Sequence, residues 1–147
     1  MTGHHTRNLI LRPELEAVSE ARALTQKVCG EAHVSDDLCE VAVLLTSETV
    51  TNAIIHGRSE VHLAVTAGPE GIRVEVGDAN RFRPTVRAAD DGALGGRGLR
   101  IVAAAASSWG IDDNPDGKTV WFELTSDCPL SAGIGNGARP TKPLRRL

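Results

Sequence analysis

ETVTNAIIHG, at residues 48–57, completes a run of helical apolar spacing in which hydrophobic residues recur every three or four positions. Continuing that helix places Glu48, Asn52 and His56 on one face, because they are four residues apart. Gly57 is expected to end the helix, since glycine most easily takes the left-handed conformation after a last turn. This face offers an acid, an amide and an imidazole to a ligand, although an ordinary solvated stripe has the same spacing.

The composition predicts one compact globular domain. The chain has 147 residues, of which 41% are hydrophobic and 24% charged, and its net charge is -3. Nothing in that charge points to a polyanionic partner. Aromatic residues make up only 3% and tyrosine is absent, which argues against direct binding of single-stranded nucleic acid.

The cysteine usage and the apolar runs predict a cytoplasmic protein without a membrane anchor. Cys29, Cys39 and Cys128 form no C-x-x-C pair, which argues against a disulfide framework or a zinc site and fits a reducing compartment. Residues 1–12 lack the apolar core of a signal peptide. The longest apolar run, residues 101–106, is far too short to cross a bilayer.

The N-terminal part of the chain predicts an edge strand and two helices. Residues 1–8 are expected to form a flexible N-terminus, and residues 8–11 a short edge strand. Pro13 opens a helix that Gly30 can end, and Ser35 is a suitable N-cap for the helix that runs to Gly57. The buried side of the first helix is expected to consist of Leu15, Val18, Ala21, Leu24 and Val28.

After Gly57 the apolar period changes from 3.6 to 2. Residues 61–66 and 72–76 alternate apolar and polar side chains around turn residues at 68–71, which predicts a β-hairpin that runs into Asp78. Residues 81–96 have no sustained period, and a loop of that length inside a compact domain is usually functional or disordered.

The C-terminal part predicts a helix over 97–109 and a strand over 119–124, with Trp109 and Trp121 in the core. Residues 126–147 are expected to be a flexible basic tail, or alternatively a docking segment for an acidic partner. The order β-α-α-β-β-loop-α-β predicts an α/β (α+β) two-layer sandwich, whose mixed, mostly antiparallel sheet is covered on one face by helices.

Two glycine-rich stretches invite comparison with known phosphate-binding motifs. GKT at residues 117–119 is the end of a P-loop, but Asp112 stands where the first glycine is required. GGRG at residues 95–98 begins like a dinucleotide fingerprint, but Ile101 replaces the third glycine. At a loop-to-helix junction these glycines still form a candidate anion site, to which Arg97 can add a charged contact.

Four motifs, taken together and in their order along the chain, are a more specific signal than any one of them alone. Glu48-x-x-x-Asn52 on a helix, Asp78 at a strand end, the glycine-rich segment 95–98 and the GKT at 117–119 occur in that order. The set resembles the N, G1, G2 and GT boxes of the ATPase superfamily that includes gyrase, heat-shock-90 chaperones, histidine kinases and MutL. Within that superfamily, the chain is similar to the anti-sigma factor serine kinases of actinobacteria, through residues 52–57, 96–102, 109–110 and 117–121.

The resemblance covers about residues 9–125 and implies a Bergerat ATP-binding fold with ATP and Mg²⁺ as cofactors. Asn52 would hold the Mg²⁺, and Glu48 would be the general base. Asp78 would accept a hydrogen bond from the adenine amino group, supported by the hydroxyl of Thr119. His56 would either approach the nucleotide or interact with the last carbonyls of its helix.

The remaining implied contacts concern the phosphates. They would be cradled by four residues of the glycine-rich segment, Gly96, Arg97, Gly98 and Leu99. The loop 79–96 would act as a lid. The G1 box usually reads Asp-x-Gly-x-Gly, whereas Asp78 is followed here by the residues Ala-Asn-Arg-Phe at 79–82.

The resemblance implies a protein kinase that phosphorylates a serine on an anti-anti-sigma (STAS-type) partner and controls the availability of a sigma factor. A homodimer is possible. The altered G1 box favours an alternative, a non-catalytic protein-binding module of the same fold with weak or structural nucleotide binding. The catalytic domain of a histidine kinase is a weaker third option, because no dimerisation helix with a phospho-acceptor histidine precedes the domain.

Overall fold

A computed structural model describes residues 3–57, 59–79, 94–115 and 117–125, with the backbone alone at 57 and 94–99. The elements in chain order are β1 (His5–Leu11), α1 (Ala17–Glu31), α2 (Asp36–Gly57), β2 (Val61–Gly68), β3 (Gly71–Asp78), α3 (Leu94–Ala105), β4 (Ser108–Asn114) and β5 (Gly117–Thr125). Most of the predicted lid, at 80–93, and the predicted tail at 126–147 lie outside the described residues.

The five strands form one sheet in the order β1-β2-β3-β5-β4, and each pairing among these strands is antiparallel. Helices α1 and α2 pack on one face of the sheet, and α3 packs beside α2. The apolar residues of β2 and β3 alternate toward those helices, so that one core fills the space between the two layers. The two-layer α+β fold predicted from the sequence is confirmed.

The edge strand β1 is longer than the sequence predicts. It begins at His5 rather than Asn8 and pairs with β2 from His5 opposite Ala67 to Leu11 opposite Val61. Arg7, which the sequence places in a flexible terminus, donates from Nε and Nη2 to the carboxylate of Glu31 at 2.5–3.2 Å. This ion pair connects the edge strand to the end of α1.

The Arg7–Glu31 pair predicts a small acid-dependent loss of stability. The hydrogen bonds from Arg7 lower the pKa of Glu31 below 4.5 in the folded protein. Because the folded-state pKa is depressed, the pair stabilises the protein above the ordinary glutamate pKa and loses this contribution as the pH falls through the depressed value. We expect Glu31→Gln to lower the unfolding midpoint at about pH 7 and to match the wild type at about pH 2. An equal difference at both pH values, in thermal melts, would contradict the assignment.

Helix α1 differs from its prediction at both ends. It begins at Ala17, because the residues after Pro13 form tight turns, and Leu15 is consequently 58% exposed rather than buried. It continues past Gly30, and His33 takes the left-handed conformation (φ 58°) that ends the helical path. The other four residues expected on its buried side are buried or half-buried.

Helix α2 matches its prediction. The backbone N–H of Leu38 donates to Ser35 Oγ at 3.3 Å, which confirms Ser35 as the N-cap. Within the described part of the chain, this is the one helix long and apolar enough to cross a membrane. Half of the apolar window is buried inside the protein, as expected for the central helix of a layered fold, so its composition is weak evidence for a span.

The two described cysteines pack where α1 and α2 meet. Burial, together with a hydrogen bond to Cys39, raises the pKa of the Cys29 thiol to about 12. A thiol that stays protonated is a poor nucleophile and a poor metal ligand, so Cys29 acts as a packing residue.

The region after α3 holds a strand that the sequence patterns do not predict. The helix predicted over 97–109 spans 94–105 instead, and β4 follows, with Trp109 buried in the core as a strand residue. Trp121 is fully buried, but it lies on the sheet face opposite the helices, because Phe122 and Leu124, which alternate with it along β5, belong to the core beneath the helices. Its ring lies against Gly110, where a Cβ atom would stand 2.8 Å from the ring, and under the Arg73 guanidinium at 4.4 Å.

Candidate functional site

The C-terminal half of α2 and the ends of β3 and β5 enclose a narrow cavity. It has a volume of about 10 Å³, close to that of one water molecule. Its lining comprises Thr49, Asn52, Ala53, His56, Val76, Asp78, Lys118 and Val120. Three of the residues singled out in the sequence, Asn52, His56 and Asp78, therefore lie together. Glu48 is half-buried one helical turn before Asn52 and does not line this cavity.

A larger cavity adjoins the first one at Asp78 and Lys118. Its volume is about 580 Å³, within the range of small-molecule sites. The other lining residues are Ser59, Glu60, His62, Gly77, Ala79, Asn114 and Thr119. Asp78 and Lys118 thus form a wall between a space large enough for a ligand and a small polar space beside α2.

Asn52 brings a buried acceptor to the small cavity. The residue is 7% exposed, and no donor in the part of the chain that the structure describes reaches its Oδ1 atom. A buried acceptor without a donor costs about 1–3 kcal/mol. An amide oxygen in that position is suited to a water molecule or to a hard cation such as Mg²⁺.

Asp78 and Lys118 form a buried ion pair. Lys118 Nζ donates to Oδ1 at 3.0 Å and to Oδ2 at 3.1 Å, and the two side chains are 2% and 3% exposed, Asp78 being the less exposed. The sheet register places the two residues directly opposite each other on β3 and β5. Both oxygens of the carboxylate are therefore engaged by a cation in this structure.

Lys118 is a site residue that the sequence patterns did not single out. Its neighbour Thr119 does not lie beside the Asp78 carboxylate as expected. The register pairs Thr119 with Gly77, so its side chain is on the sheet face opposite that of Asp78. There Thr119 Oγ1 accepts a hydrogen bond from Asn114 Nδ2 at 3.3 Å. The signal for Lys118 was present in the sequence, because it continues the inward alternation of Val120 and Phe122.

The glycine before Lys118 is required by the close approach of two strands. Gly117 has φ 155°, and a Cβ atom on it would lie 1.9 Å from the carbonyl oxygen of Asp78. The strand end that carries Asp78 therefore lies directly on the backbone of Gly117, which explains the glycine of the GKT sequence without a P-loop.

The glycine-rich segment lies further into α3 than predicted. The helix begins at Leu94, so that Gly96, Arg97, Gly98 and Leu99 occupy its first two turns rather than a preceding loop. The first backbone N–H groups of a helix have no intrahelical acceptor and favour anions. The backbone N–H groups of residues 94–97, at the start of α3, are therefore still a candidate anion site.

The comparisons with known proteins bear on the family and the fold of the chain. The model of the histidine kinase-like ATPase domain matches residues 11–124, which is well over half of the chain, so the chain belongs to that family. The comparison with curated proteins gives no significant match.

Among solved structures, the crystal structure of the RsbU and RsbW domains of Rv1364c from Mycobacterium tuberculosis is similar, with a TM-score of 0.61 and 18% identity. The match covers 94% of this chain and 35% of that chain. This protein thus spans about a third of that neighbour's length, and a likeness at 18% identity establishes the fold.

Proposed function

We propose that this chain is a cytoplasmic, anti-sigma-type regulator that uses ATP and Mg²⁺ to phosphorylate a serine on an anti-anti-sigma (STAS-type) partner. The observation that carries the proposal is the meeting of Asn52 and Asp78 at one small cavity, with Glu48 one helical turn away. Membership of the histidine kinase-like ATPase family supports the nucleotide. The likeness to a structure that contains an RsbW domain supports the regulatory class.

The residues of the candidate site have the donors and acceptors that ATP and Mg²⁺ require. The Asn52 amide oxygen, buried and without a donor in the described part of the chain, suits a hard cation. The Asp78 carboxylate accepts a hydrogen bond from the adenine amino group, and the first-turn amides of α3 receive the phosphates. When bound, Mg²⁺ neutralises charge on the phosphates and aligns them for transfer.

Glu48 serves as the general base in the proposed transfer. The serine hydroxyl oxygen of the partner forms a bond to the γ-phosphorus, and the bond from that phosphorus to the β,γ-bridging oxygen breaks. The serine proton passes to the Glu48 carboxylate, and ADP leaves with the electron pair of the broken bond. Glu48 is half-buried on α2, one helical turn before Asn52, and its carboxylate is the acceptor for this proton.

One observation favours the alternative, a non-catalytic binding module. After Asp78 the chain lacks the glycines of the usual box, and the N–H of Ala79 is bound to Ser59 Oγ at 3.2 Å. This contact holds the strand end in place, and the carboxylate beside it is already engaged by Lys118. A site that needs rearrangement before nucleotide enters binds it more weakly.

Thermal unfolding with nucleotide tests the proposed site. ATP with Mg²⁺ at about 100 times its Kd is expected to raise the melting temperature of the wild type by about 5–10 °C. Asn52→Ala should abolish this rise, because the proposed metal ligand is lost. Thr51→Ala, next to it on α2 but outside the cavity lining, should retain the rise. An undiminished rise in Asn52→Ala would refute the assigned metal site.

Phosphotransfer separates the kinase from the binding module. With labelled ATP and a STAS-type partner, the wild type is expected to label a partner serine. Glu48→Gln should keep the thermal response to ATP and lower the transfer rate by about 10²–10⁴-fold. Tight partner binding without label in the wild type would favour the binding module instead.

A further inference from the structure

The pairing of β2 with β3 ends before the two strands do. The last pair is His62 with Gly77, although β2 begins one residue earlier, at Val61, and β3 ends one residue later, at Asp78. Val61 still pairs with β1, and Asp78 still pairs with β5. Each strand therefore keeps its outer neighbour, while the two strands separate from each other at this end of the sheet.

A single hydroxyl group spans this separation. The backbone N–H of Ala79 donates to Ser59 Oγ at 3.2 Å, and the Ser59 hydroxyl donates to the carbonyl oxygen of Glu60 at 3.3 Å. Continued by two residues, the register of the strands would place Glu60 opposite Ala79. The hydroxyl thus stands between two backbone groups that are placed to form the next bond of the ladder.

The residues on both sides of the separation line the larger cavity of about 580 Å³. Ser59 and Glu60 line it from the β2 side, and Gly77, Asp78 and Ala79 line it from the β3 side. A direct ladder bond would bring the Ala79 nitrogen and the Glu60 oxygen to about 2.9 Å. The hydroxyl joins these atoms by two bonds in series instead, and so holds the two walls of the cavity further apart.

We propose that Ser59 is a positioning residue whose hydroxyl acts as a spacer between β2 and β3 and keeps the larger cavity open to ATP. This inference rests on the proposed ATP site and assigns a role to a residue outside the four sequence motifs. Ser59 acts through the separation of the two strands and not by contact with the nucleotide.

The other side of the strand end leaves little room for adjustment. The backbone of Gly117 lies directly against the carbonyl oxygen of Asp78, so the end of β3 cannot move further toward β5. The chain after Asp78 also lacks the glycines that would let the backbone turn away from β2 by itself. The width of the gap is therefore set by what stands between Ala79 and Glu60. Without the hydroxyl, direct pairing satisfies both backbone groups within the protein.

Hydrogen exchange at the Ala79 amide, measured without nucleotide, tests the spacer itself. Ser59→Ala is expected to slow this exchange by about tenfold, because the N–H then bonds directly to the Glu60 carbonyl. Ser59→Thr keeps a hydroxyl group and should exchange at the wild-type rate. Faster exchange in Ser59→Ala would show that the hydroxyl only ties down a fraying strand end, and would overturn the inference.

ATP affinity, measured by calorimetry with Mg²⁺, tests the consequence for the cavity. Ser59→Ala should bind ATP about tenfold more weakly, which corresponds to about one molecule in ten with the strands apart. Its melting temperature without ATP should be no lower than that of the wild type, because a ladder bond replaces the bridge. Ser59→Thr should bind ATP as the wild type does.

The matched control is Ser19→Ala. Ser19 is an exposed serine of α1 whose hydroxyl also donates to a nearby backbone carbonyl, that of Glu16, at 3.2 Å. This variant should keep the wild-type affinity for ATP. Equal weakening in Ser19→Ala and Ser59→Ala would show that the loss does not arise at the gap, and would overturn the inference.

The outcomes separate this inference from the proposed function. Because Ser59 is half-exposed, its variants are expected to fold. If the wild type binds ATP and Ser59→Ala binds it equally well, only the role of Ser59 is contradicted. Wild-type protein that does not bind ATP overturns the proposed ATP site, and the inference falls with it.

Discussion

Asp78→Asn is expected to lower the free energy of unfolding by about 3–5 kcal/mol, because it leaves the ammonium of Lys118 buried beside a neutral group. For a chain of 147 residues this corresponds to a fall in melting temperature of about 10 °C. The same change should abolish the thermal response to ATP. A carboxamide has one acceptor oxygen, and its NH₂ group must then face either the lysine or the adenine amino group, both of which are donors.

The matched control is Asp113→Asn, which removes the same charge from the residue opposite Lys118 on β4. Asp113 is exposed, so we expect a change in unfolding free energy of less than about 1 kcal/mol. Denaturant titration and thermal melts with and without ATP measure both effects. Similar losses in the two variants would mean that burial of the Asp78–Lys118 pair is not what makes it important.

Gly117→Ala is the second change with a large expected effect. Its new Cβ atom would lie 1.9 Å from the Asp78 carbonyl oxygen and 2.7 Å from Ala79 Cα, both of which are backbone atoms that cannot rotate away. The ends of β3 and β5 must separate, and the φ of 155° is also unfavourable for alanine. We expect a loss of about 3 kcal/mol or more in unfolding free energy. Because Asp78 moves with that strand end, the response to ATP should be lost as well.

Gly30→Ala provides the control for this glycine. It lies in α1, and nothing stands within 4 Å of the position its Cβ would take. Alanine is the better helix former by up to about 1 kcal/mol, so this variant should be as stable as the wild type or slightly more so. Equal melting curves for Gly117→Ala and the wild type would show that the two strand ends can separate freely.

Much of the fold could be predicted from local sequence patterns. The helix that carries Asn52 and the hairpin that ends at Asp78 both follow from a sustained apolar period, and both are confirmed. The secondary-structure predictions were wrong where the apolar period extends over only a few residues. Strand β4 has seven residues with two adjacent aspartates, and its start continued the apparent helical spacing up to Trp109.

The surroundings of two apolar residues differ from what local patterns predict. Leu15 fits the apolar stripe of α1, but the helix begins two residues later and leaves that side chain exposed. Trp121 is fully buried, as expected, but on the sheet face opposite the helices, where Gly110 makes room for the ring and Arg73 covers it. Neither neighbour is close to Trp121 in the sequence, so no local pattern could reveal the contact.

The sequence by itself determined the chemistry available at the site. It set the spacing of Glu48, Asn52 and His56 on one helix and the carboxylate of Asp78 at a strand end, because these depend on local periods. Only the tertiary structure decided that Lys118 neutralises Asp78. That contact requires β5 to pair with β3 in one register across 40 positions of sequence, and such long-range pairing is set by the packing of the whole core.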